Sequence, residues 1–370
     1  MLCVIRETSV SSAGNFRMLS VRTDSLPDSQ NRIRKRYRIM TETYIGRLWH
    51  GDPLYGYLQH HIAPQAGFSL PDAEFRVFSF SDSSDVYLYE EIHQKFRVVG
   101  KFFRSSDYEH ARKTGETEFC NLLFLRNTGF SSFPHYVVRP YGFNPAIDNL
   151  LVTEHLTGET LSRILSDAVS SGGRNRLFRK LAALSHFMAE MHKRTAGEWT
   201  VNFDESCQYM EQLLNSLCKR WGLGNREADD FRFMRESWRS RSCMWEDRNV
   251  LVHGDATPSN FLFGTARNVM MIDLERMKWA DRVFDLGRLC GELKHFFFRS
   301  AGNPLAAEDF IGHFLWEYCC HFPDRNSMFA DINRRVPFYM GITLLRIARN
   351  SWIDSDYRRR LIHEAKETLR

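Results

Sequence analysis

Within LVHGDATPSNFLF (251–263), three side chains have the types and spacing for joint chemistry: His253, Asp255 and Asn260. A second carboxylate follows at Asp273, in NVMMIDLE (268–275). Two carboxylates and an amide offer only oxygen donors, a set that suits Mg2+ and phosphate and not zinc. His253 stands two residues before an aspartate in a tight loop, where an imidazole orients the loop by bonding to backbone. The cysteines offer no competing metal site. Cys3, Cys120, Cys207, Cys218, Cys243, Cys290, Cys319 and Cys320 form no CxxC pair, and the adjacent Cys319 and Cys320 read as helix packing.

These residues need elements to hold them. NFLF and NVMMID are short apolar strands, and GTARN (264–268) between them makes a hairpin that sets Asn260 beside Asp273. Asp255 reaches the same place from the preceding loop. Upstream, FRVFSF (75–80), VYLYEE (86–91) and FRVVGKFF (96–103) alternate with β-branched and aromatic residues, which predicts an antiparallel meander. Residues 110–130 predict a helix with Phe119, Leu122, Leu123 and Leu125 on one side, and 149–156 a further strand. From Leu161 the pattern turns helical. Leu177, Leu181, Leu184, Met188 and Met191 form one stripe along 176–195, so His192 there reads as a packing residue. Further helices are expected near 204–220, 229–240, 285–299, 308–320, 336–351 and 356–369. The organisation expected is a basic, disordered tail (1–40), an extension (41–74), a β-rich N-lobe (75–156) and a helical C-lobe (157–370). TEHLTGETL (153–161) joins the lobes, and function is expected in a cleft between them.

Charge narrows the partners. The chain has 370 residues, 50 basic and 45 acidic. Eight basic and three acidic residues fall in 1–40, so 41–370 holds 42 of each sign. A neutral body with one short basic segment supports no nucleic-acid partner. No run of about 18 apolar residues is present, and the N-terminus lacks an apolar signal region, so a cytoplasmic protein without a membrane span is expected.

The residues resemble the aminoglycoside phosphotransferase and choline kinase family of protein-kinase-like enzymes. His253, Asp255 and Asn260 match its H-x-D-x(4)-N motif, Ile272, Asp273 and Glu275 match I-D-x-E, and WADRVFDLGRL (279–289) is similar to the segment that follows. The resemblance covers about 75–350. It implies an α+β, bilobal protein-kinase-like fold and a small-molecule kinase using ATP and Mg2+. Asp255 then matches the catalytic aspartate that takes the hydroxyl proton, and Asn260 and Asp273 match the metal ligands. His253 orients the catalytic loop and Asp285 holds it from behind. Lys101, in RVVGKFF, matches the lysine of the α- and β-phosphates. A lone buried ammonium is costly, so a carboxylate partner is expected on the next helix: Glu118, with Glu116 the alternative. The FSDSSDVYLY turn (80–89) has no glycine, unlike a protein-kinase loop, and leaves Ser83 and Ser84 to contact phosphate. Backbone near Glu154 and Leu156 would bind adenine.

Only 11 residues (274–284) separate Asp273 from Asp285 and no A-P-E follows, which leaves no room for a peptide-docking segment. A small-molecule hydroxyl compound is therefore the expected acceptor, in a pocket built by 200–245 and the C-terminal helices. Trp221, Trp238, Trp316 and Tyr339 are aromatic candidates for it, though each also reads as core. The acceptors that the resemblance implies include sugars, amino alcohols and saccharides, and the basic RESWRSRSCMWEDR (235–248) disfavours a polycationic one and favours a neutral or anionic acceptor such as a sugar or lipid-linked saccharide. A nucleotide-binding pseudokinase is the rival reading, and a protein Ser/Thr kinase a third; the presence of Lys101, Asp255, Asn260 and Asp273 favours an active enzyme.

Overall fold

Strand pairing in the N-terminal part follows directly from the period-two pattern of its side chains. In the computed structural model, which describes residues 4–5, 42–80, 85–170 and 172–370, Phe75–Phe80, Val86–Glu91 and Arg97–Phe102 are antiparallel neighbours. Ser83, Ser84 and, apart from Val4–Ile5, the basic segment 1–40 lie outside the described residues. Glu42–Leu48 and then Val4–Ile5 extend the sheet on one side, Leu150–Glu154 and then Pro140–Asn144 on the other, for seven strands in all.

The core of this sheet includes Phe75, Val77, Tyr89, Val98, Phe102, Leu150 and Val152, closed by Leu54, Leu58 and Ile62. Each large side chain so buried contributes about 1.5–3 kcal/mol. Residues 42–74 are therefore part of the β-rich unit, supplying a strand and core residues. Tyr108–Leu125 is the helix beside the sheet, capped by Asp107, whose Oδ1 accepts from the His110 N–H at 3.0 Å. Its buried stripe is Ala111, Gly115, Glu118, Leu122 and Leu125. Leu123 is 39% exposed, so the expectation that grouped it with Leu122 is corrected; one helical step rotates it by about 100° onto the solvent side.

The chain divides into two compact units, one running to Asn127 and including Val138–Thr157, the other comprising Thr128–Val137 and Gly158–Arg370. The second unit thus borrows an earlier segment: His135–Val137 runs parallel to Val269–Met271. Its small sheet has the order Glu159–Thr160, Phe261–Phe263, Val269–Met271, His135–Val137, Ser131–Ser132, and Val250–Val252 pairs separately with Lys278–Ala280. The rest is helical. Arg174–Arg194 buries Leu177, Leu181, Leu184, Met188 and Met191, and His192 with them. The helices Arg282–Ala301 and Arg325–Ala348 touch where glycine removes the side chain: a Cβ on Gly287 would collide with Tyr339, and one on Gly291 would lie 2.7 Å from the Thr343 Cβ. Among the described residues, no helix is long and apolar enough to cross a membrane.

Candidate active site

The second unit carries His253, Asp255 and Asn260 on the loop between Val250–Val252 and Phe261–Phe263. The chain turns sharply at Gly254, where φ is +77° and a Cβ would overlap the Arg276 carbonyl oxygen, so only glycine fits. Asp285, fully buried in the first turn of Arg282–Ala301, accepts from the His253 N–H at 2.6 Å and the Gly254 N–H at 3.0 Å. The buried His253 ring bridges two segments. Its Nδ1 accepts from the Asp255 N–H at 3.3 Å, so in the neutral ring Nε2 carries the proton and donates to the Ile272 carbonyl at 3.0 Å.

Those bonds tie Asp255 to the hairpin that carries Asp273. Phe261 faces Met271 across the hairpin, and the Ile272 N–H donates to the Asn260 carbonyl at 3.1 Å. Asn260 Nδ2 donates to the Asp255 carbonyl at 2.9 Å, which fixes the amide and leaves Oδ1 as its oxygen donor. Asp273 has a left-handed backbone, φ +66°, a conformation costing about 1–2 kcal/mol outside glycine and eased for aspartate. Its carboxylate and that of Glu275 come within 4.8 Å of one another. Asn260, Asp273 and Glu275 thus offer the hard oxygens a divalent cation takes.

Asp255 has company that sequence reasoning missed. Arg288 Nη1 lies 2.8 Å and Arg346 Nη2 2.9 Å from the same oxygen, Oδ1. Arg346 Nη2 is also 3.5 Å from Glu292, and Arg288 Nη2 is 3.5 Å from the Tyr209 hydroxyl. Burial pushes the Asp255 carboxyl up, but Arg346 and Arg288 outweigh it and hold the group below the usual carboxylate range. Burial raises the Glu292 carboxyl, against the pull of the same two arginines. The signal was present in LLRIA (344–348), where an arginine interrupts a buried helical run and so needs an acidic partner.

In the first unit, Lys101 Nζ lies 2.8 Å from Glu118 Oε2 and 4.9 Å above the Phe103 ring. The Glu118 side chain is almost wholly buried and the lysine 22% exposed. Glu116 is exposed and reaches Arg112 at 3.6 Å. Strand alternation turns Val98, Gly100 and Phe102 into the core and Lys101 to the opposite face. Glu154 Oε1 accepts from the Arg139 N–H at 2.6 Å, and Leu156 follows, half-buried, past the strand end. Of the aromatic candidates, Trp238 and Tyr339 belong to the core: the Trp238 indole donates to the Leu369 carbonyl at 2.8 Å, and the Tyr339 hydroxyl to Asp281 at 3.2 Å. The Trp221 indole donates to the Arg349 carbonyl at 2.8 Å, and Trp316 meets Phe329 edge to face.

Residues 74–321 match the phosphotransferase enzyme family, APH. The chain belongs to this family. It is accordingly an enzyme, a phosphotransferase with hydroxyl groups as acceptors. No curated protein matches it in sequence. Among solved structures, it is similar to the ternary complex of APH(2″)-IIa with streptomycin and ATP, at 13% identity and TM-score 0.51, over 94% of this chain and 99% of that one. Plasmodium vivax ethanolamine kinase is 15% identical with TM-score 0.55, over 84% and 86%. Choline kinase from Cryptosporidium parvum is 12% identical with TM-score 0.57, over 85% and 93%. These likenesses establish the α+β, protein-kinase-like fold of the phosphotransferase.

Proposed function

We propose that this phosphotransferase moves the γ-phosphate of ATP to a hydroxyl of a small molecule, with Asp255 receiving the hydroxyl proton. The observation that carries the reading is the shared scaffold of the second unit. His253, Asp285 and the hairpin bonds hold Asp255, Asn260 and Asp273 on one rigid frame, and phosphoryl transfer depends chiefly on positioning and charge neutralisation. Asn260 and Asp273, with Glu275 beside them, would hold Mg2+, which supplies neutralisation of the phosphate charge. Lys101, steadied by Glu118, binds the α- and β-phosphates, and backbone near Glu154 and Leu156 receives adenine. The acceptor oxygen bonds to Pγ as the bond from Pγ to the bridging oxygen breaks, ADP leaves, and the proton passes to Asp255.

A small acceptor is favoured by what lies between Asp273 and Asp285. That stretch holds the strand Lys278–Ala280 and the cap of the next helix at Asp281, with no segment left to dock a peptide. ADP release in the presence of ATP, Mg2+ and a library of hydroxyl compounds tests the proposal. Asp255→Asn is expected to lower turnover by about 10²–10⁴-fold, the usual range for a lost general base. Full turnover in that variant would remove Asp255 from the chemistry, and nucleotide binding without any transfer would favour the pseudokinase reading.

A further inference from the structure

Two guanidinium groups on one oxygen of Asp255 are more positive charge than a proton acceptor needs, because each lowers its basicity. Arg288 comes from Arg282–Ala301 and Arg346 from Arg325–Ala348. Neither fork is filled. The Nε atoms of both arginines are buried with no hydrogen-bond partner among the described residues, and Arg288 is only 3% exposed. The nearest further acid, Glu292, stays 3.5 Å from Arg346. A guanidinium edge with an idle Nε matches the two parallel bonds that a carboxylate or phosphate group accepts.

Building on the function proposed above, we infer that Arg288 and Arg346 form an anion subsite for the acceptor, which is a hydroxyl compound carrying a phosphate or carboxylate near the reacting hydroxyl. Binding that anion draws the guanidinium groups from Asp255 Oδ1 and leaves the carboxylate for the hydroxyl proton. Transfer itself balances as before: the acceptor O–Pγ bond forms, the bond to the bridging oxygen breaks, ADP departs and the proton goes to Asp255.

The test uses the full chain and matched probes: glycerol, glycerol 3-phosphate and glycerate, then glucose, glucose 6-phosphate and glucuronate. With ATP, kcat/KM is expected to be at least about tenfold higher for an anionic member than for its neutral parent. Phosphate and carboxylate members tell the two anion types apart. Arg288→Lys and Arg346→Lys keep the charge and lose the fork; whatever they do to turnover in general, the preference in kcat/KM for the anionic member over its neutral parent should shrink by about tenfold. A readout free of chemistry is thermal stabilisation by the same probes and by inorganic phosphate without nucleotide. Wild type should be stabilised saturably by anions alone, the lysine variants less, and Asp255→Asn at lower anion concentration, because its arginines have lost their internal competitor. That last arm stands even if a lysine variant does not fold. Equal response to charged and neutral probes, preference for a cationic acceptor, or no tightening in Asp255→Asn overturns the subsite. Full turnover by Asp255→Asn alongside anion-dependent stabilisation would instead overturn only the assigned base.

Discussion

A single carboxylate, Asp285, holds two successive backbone N–H groups, those of His253 and Gly254, at 2.6 and 3.0 Å. Removing it leaves two buried donors without a partner, at a cost of about 1–3 kcal/mol each. Asp285→Ala is therefore expected to lose about 3 kcal/mol in urea unfolding and to lower kcat more than it raises KM for ATP, since the loop that presents Asp255 slackens. Asp285→Asn keeps one acceptor oxygen and should lose less in both. Unchanged stability in the alanine variant would show that the loop holds itself. That His253, Asp255 and Asn260 meet the strand leading to Asp273 was legible because a short loop and a hairpin bring them together over a few positions. Arg288 and Arg346 were not, because nothing in linear order says that arginines 33 and 91 residues beyond Asp255 reach it.

The two helices that bring those arginines together meet through glycine. Gly287 and Gly291 let Arg282–Ala301 lie against Tyr339 and Thr343 of Arg325–Ala348. A buried ion network fastens the same pair: Arg335 reaches both Asp281 oxygens at 2.9 Å and Asp247 at 2.7 Å, and Arg282 reaches Asp247 at 2.9 and 3.0 Å. Gly291→Ala is expected to force the helices apart and cost about 1–3 kcal/mol, as overpacked cores do. Arg335→Ala should cost about 3–5 kcal/mol, because it leaves Asp281 buried and uncompensated. Both are read from urea midpoints, and a neutral result for Gly291→Ala would mean that this contact has slack. Element existence was legible from apolar period, as for Arg174–Arg194. Failures came where the period is short or broken: Glu42–Leu48 alternates too briefly beside the Pro- and Gly-containing residues 51–67, and the run of Leu122, Leu123, Phe124 and Leu125 hides which side of the helix is buried.

At the scale of the whole molecule, stability should depend on pH through a histidine cluster in the second unit. His135 sits 4.5 Å from His186, ring to ring, and His186 stacks on His321 at 4.1 Å. Burial, and then the neighbouring His186, hold His135 down at about 4, and burial lowers His186 and His321 as well. The folded state therefore resists protons that the unfolded chain takes up near 6.5, so this contribution is complete above pH 6.5 and is lost as pH falls towards 4. The urea midpoint is expected to drop between pH 7.5 and pH 5, and His135→Gln to flatten the slope. A midpoint that holds or rises over that range would count against the cluster.

By itself the amino-acid order determined the secondary structure of the strongly periodic stretches and the hairpin that joins Asn260 to Asp273, because these depend on residue type and on spacings of a few positions; the phosphotransferase chemistry followed from the resemblance of its motifs to a known family. Only the tertiary structure decided that Thr128–Val137 belongs to the helical unit, that Leu123 faces solvent, and that Arg288 and Arg346 close on Asp255. Those outcomes depend on which distant faces meet when apolar surface is buried and charge must find a partner, and no local pattern encodes that meeting.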